Sequence, residues 1–470
     1  MKNAQPRNRI PEGEQFSGLF VMGNFTSVCP PSVNQSCIQH HKIQRTEIQK
    51  NDSSRKKQSQ VGDNVDRFQP ISEKRFSVQS AMSDGKKQTQ HRLKNWDNKP
   101  TFFSNATMTS SFRLRFDWTK LEPLSMLAIR MEQHQNNCSL PLGDFEFRNS
   151  AGLGSDLHFW GQAVCNGMMK GIRVRSIAPW VYYDQRACNA TNEKPSPMTC
   201  YFPYTELLCP GDIAVANAHP TYNLSLVGAP LGLINPWPSY PYNGTLDVLS
   251  LRNHGSIGRV VRECDSIEAE FGRPALRAAA TEFLFTRVSR VVQQEAERQL
   301  ALVFNEAGAV PKDLITVHIR WGDKVQHEMT RVRISQYIQA VSEILAQREN
   351  RTGPVNIFLA SEDPAAVKEF TQEAPKNWKI YLDQFYVEYL PHRRDKYSYF
   401  VKAAGQLKGR IGLLAIGSLL VSLEANDYVL TTASNWSRMI NELRKSILNP
   451  RCNNCTKLID LRKSRGNLEW

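Results

Sequence analysis

The spacing of apolar side chains divides this 470-residue chain into an unpatterned arm and an α/β body. Over residues 1–100 Gln, Asn, Lys and Ser predominate and no apolar period is sustained, which predicts a flexible stalk. After Pro123, Leu124, Leu127, Ala128 and Met131 recur at i, i+3, i+4 and i+7, the stripe of a short amphipathic helix. A glycine turn at Gly152-Leu153-Gly154 opens an apolar stretch to Met169, and the strand-like Gly171 to Ile177 follows. Residues 183–250, rich in Pro, Asn and Cys, predict long loops, and a helical pattern runs from Leu276 to Phe304.

From Leu314 onward the alternation is regular. Apolar strands at Leu314 to Ile319, Val355 to Ala360, Trp378 to Leu382 and Asp427 to Thr432 interleave with helical patterns over 333–347, 364–373, 409–424 and 436–447. Strand alternating with helix predicts parallel βαβ units, and strands this apolar are expected to be covered on both faces. The longest apolar run, Ile411 to Leu423, falls short of the roughly 20 residues that span a bilayer and predicts a buried helix. Phe16 to Val21 is too short for a signal peptide, so membrane attachment is expected only through an N-terminal anchor outside this sequence.

Charge changes the picture only once it is mapped. The net charge of +14 would ordinarily suggest a polyanionic partner. Residues 1–100 hold 17 basic and 9 acidic side chains, so the rest carries 42 against 36. More than half of the excess sits on the arm. Phe68, Phe76 and Trp96 are the sole aromatics over 40–100, too few to stack bases, so a nucleic-acid partner is not expected.

Ten cysteines and eleven Asn-X-Ser/Thr sequons, with Cys188, Cys200 and Cys209 clustered, favour the oxidising lumen of the secretory pathway. Cys452 and Cys455 form one C-x-x-C without a second pair or a nearby His, which fits a local disulfide or idle thiols better than zinc.

Three polar motifs fall at the carboxyl ends of the expected strands, where open parallel sheets bind ligands. The first runs from His318 to Glu328. Its strand delivers Arg320, whose planar fork suits phosphate oxygens; Lys324 adds a second cation and Glu328 a carboxylate. Cations offset charge growing on a leaving phosphate while a carboxylate takes the proton of an attacking hydroxyl. A turn-fixing pair of Arg320 with Asp323 is the structural alternative. In the second, Leu359 to Pro364, Ser361 by itself reads first as a helix N-cap with acids in the first turn. The third, Asp427 to Ser437, sets hydroxyls and amides at a helix N-terminus, suited to phosphate or to plain capping. No G-x-x-x-x-G-K-[ST], no G-x-G-x-x-G after a strand and no metal-spaced His/Asp cluster is present.

In this order the three motifs resemble the α-1,6-fucosyltransferase family and its α-1,2- and protein O-fucosyltransferase relatives. The correspondence covers about 138–445 and includes His318, Arg320, Asp323, Lys324 and Glu328, Leu359 to Pro364, Asp427 to Glu442, and Gly152 to His158. It implies a GT-B-like fold of two Rossmann-type lobes and metal-independent, inverting transfer of L-fucose from GDP-fucose to a glycan or glycoprotein hydroxyl in the Golgi. Arg320 would hold the β-phosphate, Glu328 act as general base and Lys324 assist both; no resident cofactor or metal is implied. His318, Asp323, Asp363, Gly154, Ser155, Asp156, Ser434 and Asn435 would complete the donor site. The expected boundaries are a basic stalk over 1–100, an acceptor-side lobe over 101–305, a donor lobe over 306–450 and a tail over 451–470. Two positions depart from the family. Trp321 stands where the family has a second Arg, and Leu419 where it has the Asp that reads guanine, with Glu424 or Asp427 as stand-ins on a shifted register. These departures suit a rival reading, a non-catalytic glycan-binding or scaffold protein on the same fold.

Overall fold

The computed structural model describes residues 112–147, 152–177, 180–188, 196–210, 235–236, 264–322, 330–348, 353–389 and 404–462, all within one compact unit, Phe102–Trp470. The expected stalk and most of the expected loops over 183–250 lie outside the described residues.

The fold is α/β, with two sheets. Helix α1 (Met126–Gln135) starts at Ser125, whose hydroxyl accepts from the Ala128 N–H. Strand β1 (Leu142–Glu146), helix α2 (Leu153–Lys170) and strand β2 (Arg173–Ile177) form a βαβ unit, with β1 and β2 parallel and the two-residue β3 (Asn235–Pro236) antiparallel on the far side of β1. Strand β1 went unseen in the sequence pattern because Gly143 and Asp144 dilute it; pairing with β2 makes it a strand.

The expected single helix from Leu276 to Phe304 is two. After the short α3 (Asp265–Phe271), helix α4 (Arg273–Phe285) ends at Thr286 and α5 (Arg290–Val303) begins from the Ser289 cap. Between them Arg287 sits at φ +56°, Val288 N–H donates to the Trp118 carbonyl and Ser289 N–H to the Tyr201 carbonyl. Acceptors from distant segments compensate the break, which periodicity cannot reveal.

The second sheet follows the expected alternation closely. Its strands are β4 (Ile315–Ile319), β5 (Val355–Ser361), β6 (Trp378–Leu382), β7 (Asp427–Leu430) and β8 (Lys457–Asp460). They are all parallel, in the order β6-β5-β4-β7-β8. Successive side chains alternate faces. Ile315, Val317 and Ile319 pack with α6 (Ile334–Ala346) and α7 (Pro364–Glu373). On the other face Thr316 donates to the Ser422 carbonyl at the end of α9 (Arg410–Ser422), and His318 meets α10 (Asn435–Leu443). Helix α8 (Gln384–Tyr389) follows β6. Helices therefore cover both faces, and the sheet is doubly wound.

Helix α9 is buried on nearly all sides, as its uniform apolarity requires. The segment expected to be a tail contributes β8, whose four residues are too few to register as a pattern. Four disulfides, Cys138–Cys209, Cys165–Cys264, Cys188–Cys200 and Cys452–Cys455, join eight of the ten cysteines; Cys29 and Cys37 lie outside the described residues.

Candidate functional site

The parallel register brings the carboxyl ends of β5, β4 and β7 together, with Ile319 opposite Ser361 and Val317 opposite Val429. Past the end of β4, Arg320 turns its guanidinium to Glu362, with which it forms an ion pair, and donates from Nη1 to the Trp321 carbonyl at 3.0 Å. Gly322, at φ +83°, wraps this turn; a Cβ there would lie 3.7 Å from Arg320 Nη1 and 3.8 Å from Asp363 Oδ2. Among the described residues, the acid that meets Arg320 is Glu362 of the second motif. Asp323, Lys324 and Glu328 lie outside the described residues.

The second motif ties the strand ends to one another. Ser361 Oγ donates to the Ile319 carbonyl at 2.8 Å and accepts from the Asp363 N–H at 3.1 Å. The cap of α7 is Asp363 and not Ser361: its Oδ1 accepts from the Ala365 and Ala366 N–H groups. Asp363 therefore commits one oxygen to the helix and leaves Oδ2 beside Gly322.

His318 is wholly internal. Its Nδ1 lies 2.6 Å from Ser437 Oγ on α10, and burial, reinforced by the Arg320 charge, drives its pKa down to about 3. The imidazole is neutral at physiological pH and serves as a strut that positions Arg320's strand against α10. Trp321, which stands where the resembled family has a second Arg, points into the α6/α7 core at 3% exposure, its Nε1 donating to the Val332 carbonyl and its ring carrying the Arg331 guanidinium 3.5 Å from the centroid.

The third motif meets the first turn of α2. Asn435, the first residue of α10, donates from Nδ2 to Ser155 Oγ at 2.6 Å and accepts at Oδ1 from Arg438 at 2.7 Å. A Cβ on Gly154 would lie 3.4 Å from both Met439 Sδ and Trp436 Cε3, so a larger residue would push the two helices apart. One turn on, His158 Nε2 and Thr281 Oγ1 both lie 2.9 Å from Glu442 Oε2, with Arg277 Nε 3.8 Å from Oε1. Burial raises the Glu442 pKa, but His158 and then Arg277 outweigh it and hold the carboxyl below its usual range. Burial, then Arg277, lowers Arg438 to about 10. Ser434 starts α10 without a cap bond from its hydroxyl.

Of the three expected cleft residues on α2, Gly154 and Ser155 reach this junction and Asp156 does not. Asp156 is 1% exposed and accepts from Trp180 Nε1 at 3.0 Å, and burial pushes its pKa up to about 8. Its carboxyl is internal and faces Trp180.

The stand-ins for the guanine-reading Asp are also engaged elsewhere. Leu419 is fully buried. Glu424 accepts from the Arg115 N–H with both oxygens at 3.0 Å, and burial raises it to about 7. Asp427 pairs with Arg348 at the opposite, amino end of β7.

Sequence reasoning passed over Glu362, Arg438 and Glu442 as functional partners. The signal for the last two was the spacing Asn435, Arg438, Glu442, which puts them on one face of α10. Among the described residues no three His, Cys, Asp or Glu side chains gather as a metal-binding group, and no helix is long and apolar enough to cross a membrane.

No family model matches the chain, and no curated protein does. Among solved structures, a crystal structure of POFUT1 in complex with GDP aligns at a TM-score of 0.34 and 12% identity, over 65% of this chain and 96% of that one. An apo-form POFUT1 crystal structure aligns at a TM-score of 0.32 and 12% identity, over 65% and 95%.

Proposed function

We propose that this chain is an inverting glycosyltransferase that moves L-fucose from GDP-fucose to a hydroxyl of a glycan or glycoprotein, without a metal ion, in the secretory lumen. The observation that carries the reading is Arg320 just past the central strand of a doubly wound sheet, with His318 of that strand held to α10 and the first turns of α10 and α2 joined through Asn435 and Ser155. Cation and helix ends suit a diphosphate. In this reading Arg320 exchanges Glu362 for the β-phosphate, Lys324 shares the charge that develops on it, and Glu328 takes the acceptor proton as the sugar passes between fixed reactants. The three-motif resemblance to fucosyltransferases selects the sugar. The disulfides and the exposed sequon residues Asn137 and Asn454 agree with a luminal compartment.

Arg320→Ala is expected to abolish GDP release from GDP-fucose while thermal unfolding stays unchanged; near wild-type turnover would overturn the assignment. Glu328→Gln is expected to keep GDP binding and lose about 10²- to 10⁴-fold in transfer. Unchanged transfer would remove Glu328 from the role of base.

The engagement of Arg320 by Glu362 and the burial of Leu419 favour one second reading, a non-catalytic glycan-binding protein on this fold. Calorimetric titration with GDP, GDP-fucose and UDP-sugars separates the two, because a degenerate protein binds none.

A further inference from the structure

We infer that Arg438 and Asn435 act as positioning residues that turn the Ser155 hydroxyl into a hydrogen-bond donor for the diphosphate of the bound nucleotide. The inference rests on the donor reading above and adds to it the direction of one proton.

The reasoning follows from which groups can only donate. A guanidinium has no acceptor, so the atom of Asn435 that meets Arg438 Nη1 at 2.7 Å is the carbonyl Oδ1. The other end of the amide is then the NH₂, and it donates to Ser155 Oγ at 2.6 Å. A hydroxyl has one proton. With its oxygen already accepting from Asn435, Ser155 donates that proton away from α10, and no acceptor for it exists among the described residues. Ser155 is half-buried in the first turn of α2, and Asn435 is the first residue of α10, so the hydroxyl stands where the positive ends of two helices meet. An oxyanion is the acceptor this polarity suits. His318, held to α10 through Ser437, ties the same helix to the strand that carries Arg320.

The test is calorimetric titration of the full chain and its variants with GDP and with guanosine. Ser155→Ala is expected to weaken GDP about 10-fold or more, the scale of a hydrogen bond to a charged group, and to leave guanosine affinity unchanged. Ser155→Thr, which keeps the hydroxyl, retains GDP affinity. Asn435→Asp places a carboxylate that accepts from both Arg438 and Ser155, so the hydroxyl proton turns away from the ligand. GDP then weakens at least as much, and adding Ser155→Ala costs nothing further. Equal losses from Ser155→Ala in the wild-type and Asn435→Asp backgrounds, an unchanged GDP affinity in Ser155→Ala, or a parallel loss of guanosine overturns the inference. If Asn435→Asp unfolds, the comparison of Ser155→Ala with Ser155→Thr on the two ligands decides alone. A wild-type chain that binds no GDP refutes the donor reading itself.

Discussion

Replacing Asp156 by Asn is expected to stabilise this protein at neutral pH. The carboxyl lies in the first turn of α2, where a helix N-terminus favours a negative charge by about 0.3–1 kcal/mol and at most ~2 kcal/mol. Burial opposes that preference and wins, raising the group from 3.8 to about 8. An acid whose folded pKa lies above its unfolded value binds a proton in the folded state that the unfolded chain releases. Stability from this group is therefore complete below pH 3.8 and falls as pH rises toward 8. Each pH unit costs about 1.36 kcal/mol, so at pH 7 the ceiling is about 4 kcal/mol. Asn keeps the shape and a carbonyl for Trp180 Nε1 but needs no proton. Urea unfolding followed by tryptophan fluorescence should show a gain of about 2–4 kcal/mol at pH 7.5 that shrinks to near zero at pH 4. A gain independent of pH, or a loss at pH 7.5, would refute the burial argument. Activity should survive, because Asp156 faces Trp180 and not the Ser155 junction.

Substitutions at four further positions probe the scaffold. Glu442→Ala deprives His158 and Thr281 of their shared acceptor and should cost about 3–5 kcal/mol in chemical denaturation, whereas Glu442→Gln should cost less. Trp321→Arg, which restores the residue usual in the resembled family, would bury a guanidinium in the α6/α7 core; a protein that folds with an unchanged melting temperature would contradict that placement. Gly412→Ala would drive a Cβ into the Tyr182 carbonyl and should cost about 3 kcal/mol or more, while Gly152→Ala, with nothing within 4 Å, should be close to neutral in the same melts.

Periodicity carried the reading of the second sheet well because its signals are local. β4, β5 and β6 fall within a residue of their expected limits, and α6, α7 and α9 do nearly so, because each is long enough to repeat its own pattern. The helix over Leu276–Phe304 read as one because the break at Arg287 is made by carbonyls of Trp118 and Tyr201, more than 80 residues earlier in the chain. Strands β1 and β8 were missed because each owes its conformation to the strand beside it.

Much the same division runs through the site. By itself, the sequence determined the strand-helix order, the placement of Arg320 and Asn435 at strand and helix ends, and the chemistry those side chains can offer. Only the tertiary structure decided which partner each one has. Glu362 meets Arg320, Asp363 rather than Ser361 caps α7, and Asp156 is buried against Trp180. The physical reason is that hydrogen-bond pairing and desolvation depend on what folding brings within about 3 Å and on how much water it removes. Neither quantity is written in the spacing of residues along the chain.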